Sequence, residues 1–276
     1  MMNKMDIEKK VRETLKKIGL KKKDKVVVAL SGGKDSTVTA YLLKKLGYNI
    51  EGFHIDLKVG KYSEECLERV MELSQLLGIK LKVYDMKKQM GSSMCYLRSG
   101  IQEKCTTALK NCAICGVIKK WVLNREVRKL KADYIATGHN LDDEAQTFLM
   151  NIFKGSPQLS ANLGPITRNV PDKKSKFIPR IKPLFYIPED KVRKYSKSKK
   201  LPVNYEKCPC ALDSYRIQIR KFLDTLSDKD KQNIINNFEN LLPRIEKIQD
   251  PRIHYCEICG EPSRGRICKK CKLLKI

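Results

Sequence analysis

The run Val26-Val27-Val28-Ala29-Leu30, followed at once by Ser31-Gly32-Gly33-Lys34-Asp35-Ser36, constrains this chain more than any other feature. An apolar, mostly β-branched run with no polar position in it reads as a strand buried on both faces, as in a parallel sheet covered by helices. Residues 37–46 carry helical periodicity and stop at Gly47. A strand, a Gly-rich turn and a helix make an anion cradle. Successive backbone N–H groups of the turn and the helix start point at one spot, and the glycines let the backbone come close to a phosphate. Ser31 and Ser36 add hydroxyls and Lys34 adds a charge. The turn matches neither G-x-x-x-x-G-K-[ST] nor G-x-G-x-x-G, so those two phosphate loops are excluded.

The alternation continues along the chain. Residues 49–57 read as a second strand, 63–77 as a helix and 80–84 as a third strand. Residues 113–129 and 142–153 read as helices around a short strand at 134–137, and 178–184 as a further strand. This predicts a doubly wound α/β fold with a parallel sheet. Residues 5–20 read as a Lys-rich amphipathic helix with Val11, Leu15 and Ile18 on its apolar side. Residues 90–110, with Gly and Ser and no period, read as an irregular loop, and 155–176 as a loop or flap. A basic helix at 188–199, with Pro188 in its first turn, precedes helices at 214–226 and 228–245. The expected organisation is a basic N-terminal helix (1–22), a main α/β domain (23–213), C-terminal helices (214–250) and, after a boundary at Pro251, a Cys module (251–276).

Of 276 residues, 41% are hydrophobic and 32% charged, a globular balance that excludes wholesale disorder. No apolar run reaches the roughly 18–20 residues of a membrane span, and the first residues are polar, so a cytoplasmic protein without membrane attachment is expected. The 57 Lys and Arg against 31 Asp and Glu leave a net charge of +26. Such a field attracts RNA, DNA or an acidic membrane surface. With 7% aromatics and one Trp, a single-strand binder built on stacking alone is disfavoured.

Eleven cysteines, an odd number in a chain with no export signal, argue against a disulfide scaffold and for metal or redox chemistry. The tail has Cys256-x-x-Cys259 and Cys268-x-x-Cys271, which read as a tetrahedral zinc site. A module this short buries no core, so the metal holds it folded. Its Arg264, Lys269, Lys270 and Lys272 are placed to touch RNA phosphates. Upstream, Cys112-Ala113-Ile114-Cys115 and Lys119 share one helical face. A thiolate pair there is a metal or cluster site, or a catalytic dithiol. Cys208, in Lys207-Cys208-Pro209-Cys210, would complete a three-thiolate site with one open position. Thr137-Gly138-His139-Asn140-Leu141-Asp142-Asp143-Glu144 follows another strand, at the edge where ligands of open α/β sheets bind. A carboxylate there could hold Mg²⁺.

In order, S-G-G-K-D-S at 31–36, C-x-x-C-G-x-x-K at 112–119, G-H-N-L-D-D-E-A-Q-T at 138–147 and C-P at 208–209 resemble the TtcA/TtuA family of PP-loop, ATP-dependent tRNA 2-thiolation enzymes. The resemblance implies the PP-loop ATP pyrophosphatase fold, adenine nucleotide α-hydrolase-like, with a C-terminal zinc ribbon. It implies ATP and Mg²⁺, with Ala29, Ser31, Gly32, Gly33, Lys34, Asp35, Ser36, Ile55 and Gly138 at the nucleotide and Lys119 and Asp143 as a catalytic pair. It implies a 4Fe–4S cluster on Cys112, Cys115 and Cys208, and Zn²⁺ on Cys256, Cys259, Cys268 and Cys271. The implied chemistry is adenylation of the C2 oxygen of a tRNA pyrimidine, uridine first, then attack at C2 by sulfide carried on the open iron, with release of AMP. The sulfur donor (sulfide, a persulfide or a ubiquitin-like thiocarboxylate protein) stays open, and a homodimer is expected. Members of the TtuA type usually begin with a second Cys₄ ribbon. Here no Cys precedes Cys66, which leaves a wobble uridine, a T-loop uridine and an anticodon-loop cytidine as targets. Cys210, Cys105 and Cys95 have no assigned role. Arg193, Lys194, Lys197, Lys199 and Lys200 before Cys208, and Arg216, Arg220 and Lys221 after it, are expected to grip tRNA phosphates. A tRNA-lysidine synthetase-like ligase adenylates the same oxygen but has no use for the three cysteines. A non-catalytic RNA-binding zinc-ribbon protein has no use for an intact Ser31–Ser36 turn.

Overall fold

The computed structural model describes residues 4–104, 109–167, 175–211, 215–246 and 254–275. Cys105, Pro251 and the first residue of the helix expected over 214–226 lie outside the described residues. Strands β1 (Lys25–Leu30), β2 (Asn49–Asp56), β3 (Leu81–Asp85), β4 (Tyr134–Ala136) and β5 (Arg180–Ile181) form one parallel sheet in the order β3-β2-β1-β4-β5. The chain winds outward from β1 to β3, then returns past β1 to lay down β4 and β5. The order therefore reverses between β1 and β4, and a crevice opens there at the carboxyl edge of the strands, where doubly wound sheets bind ligands.

Alternation along β1 divides the core. Val26, Val28 and Leu30 face α1 (Lys4–Lys17), α2 (Lys34–Lys45), α3 (Gly60–Leu77) and α8 (Glu189–Ser198). Val27 faces α4 (Met86–Met90), α5 (Met94–Lys104) and α6 (Asn111–Lys129). Helices α7 (Leu141–Phe153), α9 (Tyr215–Asp224) and α10 (Asp228–Glu246) pack beside the sheet through Ala145, Leu223, Ile235 and Phe238. The ribbon has β6 (His254–Tyr255) antiparallel to β7 (Pro262–Ser263), then α11 (Lys269–Leu274). It docks on α6: Trp121 packs against Cys256, Cys268 and Cys271, Lys270 Nζ lies 4.6 Å from the Trp121 ring centre, and Arg128 pairs with Glu261.

Two expectations are corrected. Residues 90–110 are not an irregular loop, because 94–104 are helical. Met94, Leu97 and Ile101 carry the helical period, which Gly91, Ser92, Ser93 and Gly100 hide in the sequence; Met94 and Ile101 are buried. The strand expected over 178–184 pairs only at Arg180–Ile181, because Pro179 and Pro183 bracket it and offer no N–H to a ladder. Within 155–176, residues 157–162 form a 3₁₀ turn opened by Pro157. Among the described residues no helix is long and apolar enough to cross a membrane.

Helix α1 is part of the core, since Val11 and Leu15 have no exposed surface. Leu15→Ala should therefore cost about 2–5 kcal/mol in urea unfolding, by lost burial and a residual cavity. A loss below about 0.5 kcal/mol, the range of surface substitutions, would contradict this packing.

Candidate functional site

The turn after β1 is braced by its own hydroxyls. Ser36 Oγ accepts from the Ser31 N–H at 3.1 Å and donates to the Gly33 carbonyl at 3.0 Å, and Ser31 Oγ accepts from the Gly33 N–H at 3.3 Å. Gly32 takes φ +84°, and a Cβ on it would lie 2.8 Å from the Cys66 carbonyl oxygen. Only glycine satisfies both demands. Ala29 and Ile55 lie on the α6 side of the sheet, at the carboxyl ends of adjacent strands.

The loop after β4 closes on this turn. A Cβ at Gly138 would lie 2.6 Å from Asp35 C and Ser36 N, so backbone meets backbone with no room for a methyl group. Asn140 caps α7 in a capping box with Asp143, and its amide also donates to Asp35 Oδ1 at 3.0 Å. Burial pushes the Asp35 carboxyl up, the Lys34 ammonium opposes that, and the Asp143 carboxylate adds to it. Burial likewise pushes Asp143 up, against Arg220 and Arg216. The two carboxylates thus disfavour each other across the crevice, an arrangement a divalent cation would relieve.

The sequence did not reveal Glu189, and it offered Arg220 only as an RNA contact. Lys34 Nζ pairs with Asp35 at 2.9 Å and Glu189 at 2.6 Å, and Arg220 joins Glu189 at 3.0 Å to Asp143 at 3.1 Å. Arg220 therefore faces the carboxylates of the crevice rather than serving as a free RNA contact. Asp142 and Glu144 do more than complement the helix dipole. Asp142 accepts the Glu189 N–H at 2.7 Å and pairs with Lys231 at 2.8 Å, and Glu144 pairs with Lys182 at 2.8 Å. Apart from the adjacent Lys34 and Asp35, these pairings join residues 31 to 155 positions apart, so no local spacing marks them; the acidic first turn after Pro188 was the one available hint.

The thiols lie on the other side of the turn. Helix α6 presents Cys112, Cys115 and, one turn on, Lys119, with Cys112 and Lys119 exposed and Cys115 half-buried. The segment carrying Cys208 is tied to the Gly-rich turn, because the Asn204 N–H donates to the Gly32 carbonyl at 2.9 Å. The Asn204 side-chain amide reaches Cys66 Sγ at 3.7 Å and Glu65 at 3.3 Å. Burial pushes the Cys115 and Cys208 thiols up, and in both the Lys119 ammonium works the other way. Cys115 and Cys208 are close enough to repel each other as thiolates, and Cys210 adjoins Cys95 and Arg98. Sequence reasoning missed Cys66, which is buried beneath Gly32.

The two cysteine groups differ in spacing. Cys256, Cys259, Cys268 and Cys271 have all four sulfurs within 4.8 Å of one another, as one tetrahedral ion requires. Backbone N–H groups of Cys268 and Cys271 donate to Cys256 Sγ and Cys268 Sγ at 3.3 and 3.4 Å; such bonds pull the Cys256 thiol down, whereas burial pushes Cys268 up. Among the described residues no other group of three or more metal-binding side chains is that tight. Cys112, Cys115 and Cys208 are therefore too spread for one ion.

The crevice depends on the contact at Gly138. Gly138→Ala should weaken ATP binding more than tenfold by titration calorimetry and lower stability by about 1–3 kcal/mol, the usual cost of overpacking. Unchanged ATP affinity would show that the two loops do not set the nucleotide site together.

Residues 3–223 match the model of the PP-loop domain family. The chain is 37% identical over 270 residues to the tRNA-5-methyluridine(54) 2-sulfurtransferase of Pyrococcus horikoshii, an alignment covering 96% of this chain and 83% of that protein. It is 30% identical to the tRNA 2-thiolation protein NcsA of Haloferax volcanii, covering 98% of this chain and 89% of that one. The structure of the U34-tRNA thiolase NcsA from Methanococcus maripaludis, solved with its [4Fe-4S] cluster, superposes with a TM-score of 0.81 at 32% identity, covering 98% of this chain and 87% of that one. With the ordered motifs, the parallel sheet and these likenesses in agreement, the chain belongs to the TtuA/TtcA family of PP-loop tRNA-thiolating sulfurtransferases.

Proposed function

We propose that this protein 2-thiolates a tRNA pyrimidine, uridine first, by adenylating its C2 oxygen with ATP and replacing that oxygen with sulfur. One observation carries the reading. Asn204 ties the segment that bears Cys208 directly to the Gly-rich turn, and Cys66 of α3 packs on the same turn, so the nucleotide loop and one of the three candidate ligands are held together. Ala29, Ile55 and Gly138 border the nucleotide, and the N–H groups of residues 31–36 with Lys34 hold its phosphates. Asp35 and Asp143 hold Mg²⁺ between them. The C2 oxygen attacks the α-phosphorus and pyrophosphate leaves; Lys119 steadies the charge that develops on the phosphate oxygens. Sulfide then attacks C2, and the C–O bond breaks to release AMP with the original base oxygen.

Cys112, Cys115 and Cys208 would hold a 4Fe–4S cluster. Bound there, the cluster supplies an iron free of protein ligand, on which sulfide can be carried. Lys119 lies one helical turn from Cys115 and serves the thiols and the phosphates alike. Cys256, Cys259, Cys268 and Cys271 hold Zn²⁺ and fix the ribbon on α6. The sulfur donor is sulfide, a persulfide or a ubiquitin-like thiocarboxylate protein, and the enzyme works as a cytoplasmic homodimer.

Anaerobic preparation tests the assignment. Cys112→Ala, Cys115→Ala and Cys208→Ala should each lose the broad visible absorbance of the cluster and all thiolation, while keeping one zinc per chain by metal analysis. Lys119→Ala and Asp143→Asn should keep tRNA affinity and lose pyrophosphate release. A Cys208→Ala protein with a full cluster would transfer the third ligand to Cys210 or Cys105.

A further inference from the structure

The cluster, nucleotide and zinc assignments leave one group of side chains without a task. Lys120 follows Lys119 on α6, and Arg180 leaves β5 on the same side of the sheet. Arg180 Nη2 donates to the Lys120 carbonyl at 3.4 Å, while its Nε is buried with no partner among the described residues. The ribbon, locked on α6 through Trp121 and the Arg128–Glu261 pair, adds Arg264 and Lys269 to the same recess. Arg216, at the start of α9, borders it and reaches Gln146 and Thr147 at 3.4 Å. His139 stands at the edge, its Nδ1 2.9 Å from Thr137 Oγ1. The group is open to solvent, since Lys120, His139, Arg264 and Lys269 are exposed, while Arg180 is half-buried.

Charges of one sign are thus gathered, and among the described residues neither Lys120 nor Arg180 has a carboxylate partner. Burial first, then Arg180, Arg216, Lys269 and Arg264, push the Lys120 ammonium below the usual lysine range. Burial pushes the Arg180 guanidinium down, with no carboxylate to offset it. Burial and the neighbouring Lys182 likewise push His139 down to about 4, which leaves it neutral near pH 7. Gathering like charges on one face, around an Arg180 Nε that is itself buried and unpartnered among the described residues, is unfavourable unless an anion lies among them. Elsewhere in this chain buried cations have partners: Lys182 pairs with Glu144, and Lys231 with Asp142.

We propose that Lys120 and Arg180, with Arg264 and Lys269 of the ribbon, form a binding site for a backbone phosphate of the RNA substrate, next to the nucleotide presented to Lys119. The phosphates of ATP already have a cradle at residues 31–36. A site that needs two cations from the ribbon suits a strand crossing from ribbon to sheet better than a small molecule held on the sheet alone. Arg and Lys in this arrangement position the strand without reading its sequence. The ribbon then acts as half of the substrate site, and α6 fixes its distance from the chemistry. This inference rests on the proposed action on tRNA and deepens it.

The test is the affinity of the full-length, zinc-loaded protein for unmodified tRNA across a salt series, for wild type, Lys120→Gln, the Lys120→Gln/Arg180→Gln double variant, Arg180→Lys and a Lys80→Gln/Lys82→Gln control on the exposed sheet edge. Unchanged melting temperature and zinc content show that each variant folds. The double variant should bind about tenfold more weakly at moderate salt, with the slope of log affinity against log salt shallower by about 0.7–0.9 per lost cation. Arg180→Lys and the edge control should keep the wild-type slope. An unchanged slope in the double variant, with wild type binding normally, would overturn the phosphate site alone. Failure of wild type to bind tRNA would overturn both this site and the tRNA reading. In a second arm, inorganic pyrophosphate should protect wild type and the double variant equally against heat. Loss of pyrophosphate protection in the variant, with its tRNA slope intact, would assign the recess to the leaving group and overturn the RNA assignment.

Discussion

Two backbone contacts hold the candidate site together, and both exist because a side chain is missing. At Gly138 the loop after β4 rests on the backbone of Asp35 and Ser36, and at Gly32 the turn after β1 rests on Cys66. These contacts place the acidic start of α7 and the Cys66 turn of α3 against the same turn. Neither could be made through a Cβ without moving one of the strands that define the crevice. The sheet order, with its reversal between β1 and β4, puts the two loops side by side; the glycines let them touch.

Helix α6 connects the remaining parts. Its buried face, through Ile114, Ile118 and Val122, packs on the sheet. Its N-terminal half carries Cys112, Cys115 and Lys119, and its C-terminal half carries Trp121, Asn124 and Arg128 to the ribbon. A rigid helix running about 1.5 Å per residue thus sets the separation between thiols and ribbon. The ribbon, too small to fold on burial alone, takes its position from this helix and its shape from four sulfurs. Its Lys269 and Arg264 bring the chain's excess positive charge to the recess beside Lys120.

How much of this the sequence disclosed follows from the range of the interactions. The β1 strand and its turn were legible because a continuous apolar run and a Gly-Gly pair leave few other readings. The ribbon was legible because tetrahedral ligation needs two C-x-x-C pairs. Helix α5 was not, since Ser92, Ser93 and Gly100 obscure a period carried by three apolar residues. Glu189 and Arg220 were hidden for a different reason. They reach the crevice from separate helices, and nothing in a local window tells a carboxylate that pairs with Lys34 from one that faces water. Lys120 is the extreme case, a lysine among 57 Lys and Arg, distinguished only by what the fold packs round it.

The central claim is that the nucleotide loop and the thiol group serve one reaction at C2 of a tRNA pyrimidine. The most direct measurement uses tRNA carrying ¹⁸O at C2 of the target base, with ATP and a sulfide source, under anaerobic conditions. Mass spectrometry of the AMP follows the label. The account expects one ¹⁸O in the phosphate of AMP for each 2-thio base formed, because the base oxygen attacks phosphorus and leaves with it. Unlabelled AMP alongside a fully thiolated base would contradict it.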